Sequence, residues 1–355
     1  MFRILKIASA FIGIIVGAGF ASGQEVLQYF TSFGHLGTAG AVLATMLFAY
    51  LGMTLTSLGH QMKTTSHKKA IYKISGRYLG PVVDGIIIFT LFGVGVVMIA
   101  GAGSILHQQF GLAPFIGSLI MAILIILVVM LNVQRVITAI GSITPLLILA
   151  LILVGVYSLL TMDLTFAELE PIAKEQKSTL PNWFISSINY VSFNIAVGAA
   201  MSLVMGGAEK DGRTAKIGGL LGGLGLGLLI VISHLAIFSK INVVWSAEMP
   251  TLKIVNDLSP VLAIFMALIL FGMIFNTAVS MFYAFTARFV EMRTKKANIF
   301  IVITVVVGFT ASFVGFTDLV AFFYPLIGYL GLFLIGALIY APFKLAKDER
   351  QAENK

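Results

Sequence analysis

Residues 13–25 read GIIVGAGFASGQE and lie inside the first long apolar run of the chain. Four glycines within eleven residues give weak helix propensity where a membrane helix would otherwise be continuous. Close packing through small residues explains single glycines. It explains Gln24 and Glu25 less well, because a buried amide and carboxylate are costly in a packed apolar seam. The stretch therefore predicts a membrane helix that is interrupted near its middle.

The composition of the whole chain identifies lipid as its solvent. Of the 355 residues, 59% are hydrophobic and only 11% are charged, and the mean hydropathy is +1.01. A soluble domain carries about 25% charge and cannot hide this much apolar surface. The chain contains no cysteine. These values exclude a cytosolic enzyme, a secreted disulfide scaffold and a disordered protein.

Runs of about 20 apolar residues are long enough to cross a bilayer, and such runs recur along the chain. They predict an all-α polytopic membrane protein with about ten transmembrane helices. The predicted spans are 4–31, 37–62, 81–107, 114–132, 136–160, 182–207, 216–239, 259–288, 298–315 and 318–343.

The net charge of +8 sits in short gaps between these runs, so it indicates topology and no nucleic-acid partner. With the N-terminus inside, all but four of the 23 Lys and Arg residues fall on the inner side. This predicts a multi-pass protein of the cell (inner) membrane with both termini cytoplasmic. Loops 161–181 and 240–258 are then extracellular and are expected to carry short helices. Residues 344–355 are expected to form a disordered cytoplasmic tail.

A second weak point occurs in span six, where residues 189–200 read NYVSFNIAVGAA. Two Asn and a Ser precede a glycine at mid-span, so a second interruption is predicted there. Spans one and six hold equivalent places in two five-span halves, 1–160 and 182–343. Because each half has an odd number of spans, the second is inverted. Interrupted helices at matching positions of inverted halves indicate the binding site of a secondary transporter.

The order of residues at both weak points resembles a known family. Residues 13–20, GIIVGAGF, resemble the first-helix motif of LeuT-fold transporters in the amino acid–polyamine–organocation superfamily. Residues 193–198, FNIAVG, resemble their sixth-helix break, and residues 17–25 look most like bacterial YkvI-like membrane proteins. The resemblance implies a 5+5 inverted repeat with broken helices 1 and 6.

The resemblance also implies a substrate site between the two breaks. Backbone amides near Gly17 would meet a substrate carboxylate, although span three lacks the Tyr that some relatives use for this purpose. Glu25, on the path from outside, is the intramembrane acid of the site. The expected substrate-binding residues are Gly17, Ala18, Gly19, Phe20, Glu25, Met98, Phe193, Asn194 and Gly198.

No cofactor is expected, but the resemblance implies a coupling ion. Sodium would lie between the first break and span eight, where oxygen ligands suit a hard cation. Span five has no Lys, which replaces the sodium in some proton-coupled relatives, so Na⁺ is favoured over H⁺. Hydrogen bonding between helices is the other explanation for the polar residues of span eight. The expected ligands are Gly13, Val16, Asn276, Thr277 and Ser280.

These observations predict a symporter that moves a small organic solute, such as an amino acid or an amine, by alternating access. The alternatives are a proton-coupled transporter that uses Glu25 and a membrane sensor or channel that does not transport actively. No HExxH helix and no GxxxxGK[ST] phosphate loop is present, so no enzyme activity is expected. The sequence leaves the oligomeric state open.

Overall fold

The computed structural model describes residues 1–63, 67–130, 144–176 and 178–353. It is 87% helical, and the described residues contain no strand. Helices are the expected form for these apolar runs, because within a bilayer each backbone N–H and C=O must be paired inside the protein.

The helices follow one another through short connections, and two 3₁₀ turns cover Thr31–Phe33 and Ser312–Val314. In chain order, the α-helices are α1 (Phe2–Ile15), α2 (Ala18–Ser22), α3 (Gln24–Tyr29), α4 (His35–Gln61), α5 (His67–Phe110), α6 (Pro114–Met130), α7 (Thr144–Leu160), α8 (Phe166–Lys174), α9 (Trp183–Ala208), α10 (Gly212–Ser239), α11 (Ile241–Val244), α12 (Pro250–Leu258), α13 (Pro260–Phe289), α14 (Lys295–Ala311) and α15 (Phe316–Glu353).

The predicted spans correspond to these helices. Span one is divided among α1, α2 and α3, and spans two to ten correspond to α4, α5, α6, α7, α9, α10, α13, α14 and α15. Six helices of the described residues are long and apolar enough to cross a membrane, and the bent α9 makes a seventh. Helices α6 and α7 are apolar but shorter. Part of span five lies outside the described residues, and the number of ten spans stays a prediction.

Two helices extend beyond the predicted spans. Helix α5 begins at His67 and contains Pro81, so the basic segment before span three is helical. Helix α15 continues to Glu353, so the prediction of a disordered tail was wrong over residues 344–353. In both segments, Lys, Arg and Glu are good helix formers. A helix already formed in the membrane adds such residues without a new nucleation cost.

The glycines of span seven allow close packing between α4 and α10. A Cβ atom at Gly52 would lie 2.6 Å from the carbonyl oxygen of Gly219, and one at Gly223 would overlap the backbone of Phe48. A stripe of small residues is therefore what lets these two helices approach at backbone distance. Helix α10 also packs against α1, and α4 also packs against α9.

Both loops predicted to be extracellular carry short helices, as expected. Helix α8 begins with a capping box, in which the Thr165 hydroxyl accepts from the Glu168 N–H and the Glu168 carboxylate accepts from the Thr165 N–H. Helices α11 and α12 occupy the second loop. Helix α12 contacts α2, α7 and α13, so this loop covers the end of the site region.

Candidate functional site

The first span is interrupted at Val16 and Gly17, as predicted. Helix α1 ends at Ile15 and α2 begins at Ala18. The Gly17 N–H turns back to the Ile15 carbonyl oxygen at 2.7 Å and so leaves the helical pattern. Among the described hydrogen bonds, no backbone N–H reaches the carbonyl oxygens of Gly13 and Val16. The interruption therefore offers acceptor groups inside the protein, as expected for a binding site within the membrane.

A second interruption in the same span, at Gly23, was not predicted. Gly23 has φ +85°, and a Cβ atom there would meet the Thr251 hydroxyl of α12 at 2.6 Å. The Ser22 hydroxyl donates to the Gly19 carbonyl oxygen at 2.7 Å and accepts from the Gln24 N–H at 3.2 Å, which secures the turn. Glycine is required here because the left-handed conformation and the close loop leave no room for a side chain.

The predicted break in span six is a bend. Helix α9 stays helical from Trp183 to Ala208, but its parts Trp183–Ala199 and Met201–Ala208 meet at 55°. A Cβ atom at Gly198 would lie 3.1 Å from a side-chain carbon of Ile15. The bend in α9 is thus packed directly against the end of α1. The predicted break in span six therefore takes the form of a sharp bend, which needs fewer unpaired backbone groups than an unwound segment.

Glu25 lies at the centre of an aromatic cluster and is 4% exposed. Its Oε2 accepts a hydrogen bond from the Tyr190 hydroxyl at 3.3 Å. Its carboxylate also stands over Gly19, where a Cβ atom would lie 2.8 Å from Cδ of Glu25 and 3.1 Å from the Tyr324 hydroxyl. No Lys, Arg or His of the described residues forms an ion pair with Glu25.

The other predicted substrate residues divide into those that join this cluster and those that do not. Phe193 stacks on Tyr324 with ring centroids 4.2 Å apart, and Phe20 is 1% exposed beside Glu25's helix. The Asn194 amide donates to the Tyr190 carbonyl oxygen on its own helix at 2.9 Å, so this donor is already used. Met98 is a buried core residue of α5, and the surroundings of the Ala18 side chain fall outside the described residues.

Of the candidate sodium ligands of α13, Thr277 lies beside the first break. The Thr277 hydroxyl lies 4.0 Å from the Cβ position of Gly17. The side-chain oxygen of Asn276 is buried and has no hydrogen-bond partner among the described residues. The Ser280 hydroxyl donates to the Asn276 carbonyl oxygen at 2.8 Å, so only its lone pairs remain available. The structure thus brings Thr277 and the acceptor groups of the break together and leaves an unused oxygen nearby.

Two cavities approach the site from opposite ends of the helices. The inner cavity, of about 500 Å³, lies between α5, α9 and α13 and reaches Ala196 and Val197, directly before Gly198. The outer cavity, of about 640 Å³, is lined by Gln24 and by the beginning of α15. Glu25 lies on the same short helix as Gln24, which lines the outer cavity.

Several residues of the site carry no signal in the sequence. The Tyr190 hydroxyl donates to Glu25, the Tyr324 hydroxyl lies beside Gly19, and Tyr29 donates to the Asn189 side-chain oxygen at 3.2 Å. A tyrosine within an apolar span is an ordinary residue, so only its distance to Glu25 reveals the role. On the inner side, Asp84 and Arg288 form an ion pair beside the inner cavity. These two residues are 204 positions apart and share no motif.

The chain has the fold of LeuT-type transporters. The structure described as the inward-facing conformation of Mhp1 aligns with a TM-score of 0.64 at 15% identity, over 96% of this chain and 76% of that chain. The structure of MhsT in complex with L-phenylalanine aligns with a TM-score of 0.61 at 19% identity, over 94% of this chain and 88% of that chain. A manganese transporter of Eremococcus coleocola (mutant H236A) aligns with a TM-score of 0.59 at 14% identity, over 94% of this chain and 77% of that chain.

The sequence is similar to two proteins of Bacillus subtilis (strain 168). One, named uncharacterized membrane protein YkvI, is 26% identical over 334 residues, which is 94% of each chain. The other, named uncharacterized protein YyaD, is 27% identical over 334 residues, 93% of this chain and 94% of that one. No protein-family model matches the chain. The predicted resemblance to YkvI-like membrane proteins is thus confirmed, and the chain is a membrane protein.

Proposed function

We propose that this protein is a secondary active transporter that moves a small organic solute, such as an amino acid or an amine, by alternating access. The observation that carries the proposal is the interruption of the first span at Val16–Gly17, seated against the bend of α9 at Gly198. Backbone groups freed inside a membrane are tolerated where they line a polar site. The structural neighbours named above are transporters, which supports the same class.

Alternating access requires a site that is open to one side at a time. The inner cavity reaches the α9 bend from the predicted cytoplasmic end, whereas the outer cavity ends at Gln24, next to the buried Glu25. This arrangement fits a state that is open inward. The neighbours bind different cargoes, since one is a manganese transporter and another holds L-phenylalanine. The fold therefore supplies the mechanism, and the side chains must select the solute.

Sodium is the coupling ion that the oxygen groups at the break favour. The carbonyls of Gly13 and Val16 have no described backbone donor, and Thr277 stands 4.0 Å from the Cβ position of Gly17. The Asn276 oxygen supplies a further neutral ligand. A hard monovalent cation is bound by such carbonyl, hydroxyl and amide oxygens, and all of these groups come from the two helices that meet at the break.

A proton is the second candidate for coupling, because Glu25 is 4% exposed and its described partner is a neutral hydroxyl. An isolated carboxylate in such surroundings is costly. Binding of a proton or of a cationic solute would relieve that cost. Glu25→Gln separates the two schemes: a transporter driven by Na⁺ keeps its response to a sodium gradient, and one driven by H⁺ loses its response to a pH gradient.

Uptake into liposomes tests the proposal. Purified protein is reconstituted and screened with radiolabelled solutes under an imposed Na⁺ gradient, an imposed pH gradient, or neither. Accumulation above equilibrium is expected only with an ion gradient. Thr277→Ala should abolish the Na⁺ effect, while the matched variant Thr310→Ala, at an exposed threonine of α14, should not. Gradient-independent equilibration would indicate a channel, and the absence of flux for all solutes would contradict transport.

We also propose that the protein lies in the cell membrane with both termini cytoplasmic. The chain has no cysteine, so a single introduced cysteine reports its side without interference. Lys174→Cys in α8 should react with a membrane-impermeant maleimide on intact cells, and Lys347→Cys should react only after the cells are opened. The opposite pattern would reverse the orientation.

A further inference from the structure

A third cavity, of about 370 Å³, lies between the beginning of α1 and the end of α9. Helix α1 lines it with Arg3, Lys6, Ile7 and Ala10. These residues are three or four positions apart and therefore lie on one face of the helix. The two cations come first, and the two apolar residues follow toward the middle of the span. This wall of the cavity is thus basic at one end and apolar at the other.

The wall from α9 has the same division in the opposite chain direction. Met205 and Ala208 belong to the last turns of the helix, and Glu209 and Lys210 follow its end. The Arg3 guanidinium lies 3.7 Å from Oε1 of Glu209, so the charged ends of the two walls meet. The cavity therefore has a charged mouth and an apolar floor.

Positive charge is in excess at this mouth, where Arg3, Lys6 and Lys210 face the carboxylate of Glu209. Oε1 of Glu209 already accepts the backbone N–H groups of Lys210 at 2.8 Å and Asp211 at 3.2 Å. Its 3.7 Å separation from Arg3 is too long for a hydrogen bond. Lys6 and Lys210 form no ion pair among the described residues. The mouth can therefore accept a further negative charge.

We infer that this cavity binds the phosphate group of an anionic phospholipid, whose acyl chain lies along the apolar floor. Phosphate oxygens accept from the guanidinium fork of Arg3 and from the two ammonium groups. The site goes beyond the proposed function, because a lipid is neither the solute nor the coupling ion. It rests on the proposed orientation only for the leaflet, which would be the anionic cytoplasmic one.

Other ligands match only one half of the cavity. A free phosphate ion would use the cations of the mouth but would leave the apolar floor in contact with water. A zwitterionic phospholipid would cover the floor but would bring a quaternary ammonium group beside three cations. A cationic amphiphile would be repelled at the mouth. The first two therefore serve as controls that separate the possible sources of a phosphate group.

Protection of a single thiol tests the inference at the cavity itself. The chain has no cysteine, so Ala208→Cys places one reactive group in the lining. The full chain in detergent is treated with a water-soluble maleimide, and dioleoylphosphatidylglycerol should slow the reaction saturably. Dioleoylphosphatidylcholine, glycerol phosphate and inorganic phosphate should not. Equal protection by phosphatidylcholine would show unspecific apolar coverage, and equal protection by glycerol phosphate would show a site for soluble anions. Either result would overturn the inference.

Variants in the same cysteine background assign the protection to particular cations. Removing both Arg3 and Lys6, as Arg3→Gln with Lys6→Gln, should raise the half-protecting lipid concentration about thirtyfold, and Lys210→Gln should raise it about fivefold. All three side chains are exposed, so folding should be retained. The matched control is Lys295→Gln with Lys296→Gln, which removes two exposed charges outside the cavity and should change nothing. Unchanged protection in the test variants would refute the site.

A second thiol distinguishes local binding from a general effect of the lipid. Lys295→Cys, in an otherwise cysteine-free chain, is exposed and lies outside the cavity, so phosphatidylglycerol should not protect it. Equal protection of both thiols would contradict the inference. The measurement needs no ion gradient and no solute, so its failure leaves the transport proposal untouched, and absence of uptake into liposomes leaves the lipid site untouched.

Discussion

Gly19→Ala tests whether Glu25 and the first break form one unit. A Cβ atom at Gly19 would overlap Oε1 of Glu25, and Cδ of that side chain would lie 2.8 Å away. The carboxyl carbon would have to withdraw to at least the 3.4 Å of an ordinary contact. Glu25 is 4% exposed, so its carboxylate has no free space to enter and its bond from Tyr190 would be lost.

The expected loss follows from three contributions. Overpacking a buried site costs about 1–3 kcal/mol, and loss of a hydrogen bond to a charged group costs about 1.5–3 kcal/mol. Replacing a helical glycine by alanine stabilises the helix by about 0.5–1 kcal/mol, which offsets part of this loss. Gly19→Ala should therefore destabilise the protein by about 3 kcal/mol. Gly85→Ala is the matched control, since nothing lies within 4 Å of a Cβ atom there, and it should be neutral or slightly stabilising.

Thermal unfolding in detergent measures both variants, and a double-mutant cycle identifies the cause. In a Glu25→Ala background the clash with the carboxylate is gone and only the Tyr324 hydroxyl stays close, at 3.1 Å, so Gly19→Ala should cost much less. A loss of the same size in both backgrounds would show that the clash with Glu25 is not the reason. A Gly19→Ala protein with unchanged melting temperature and solute binding would refute the geometry of the site.

Three further variants probe the scaffold and the outer loop. Gly223→Ala would press a methyl group onto the backbone of α4 and should lower the melting temperature by several degrees, measured in detergent against the same glycine control. Asp84→Asn leaves Arg288 without its partner beside the inner cavity. Because the pair is partly exposed, this change should destabilise the protein by about 1–2 kcal/mol. Adding Arg288→Met to the Asp84→Asn chain should recover part of that loss, as measured by chemical unfolding. Hydrogen bonds from the Thr165 hydroxyl and backbone N–H lower the pKa of Glu168 below its ordinary value of 4.5, so the capping box stabilises α8 above pH 4.5 and weakens as the pH falls below it. Hydrogen exchange of α8 amides should show this loss of protection. Thr165→Ala should reduce the pH dependence without removing it, because the backbone N–H still donates to Glu168.

Much of the fold could be predicted because its signals are local. Apolar length, loop charge and glycine clusters each act within one segment, and they located the helices to within a few residues in most spans. The interruption at Val16–Gly17 was predictable for the same reason, since glycine and a nearby acid are visible in the sequence. The helical tail was missed because charge alone was taken to indicate disorder, although Lys and Glu also extend an existing helix.

The site was harder to predict because its partners come from distant parts of the chain. Glu25 was recognised as unusual, but its contacts with Tyr190 and Tyr324 depend on how α9 and α15 pack beside α3. The bend at Gly198 shows the same limit. Residue type indicated a weak point there, whereas the close contact between Gly198 and Ile15 of α1 depends on how the two helices pack.

The position of Glu25 bears directly on the solute. Sequence resemblance places a substrate carboxylate at the amides near Gly17 and Gly19, yet the structure places the protein's own carboxylate over Gly19. A solute with a carboxylate would have to displace Glu25 or lie beside it as a like charge in a site of low polarity, which is costly. An ammonium group would instead pair with Glu25. Glu25 is therefore the group that we propose to favour a cationic over an anionic solute, and Glu25→Gln should weaken binding of a cationic solute more than that of a neutral one.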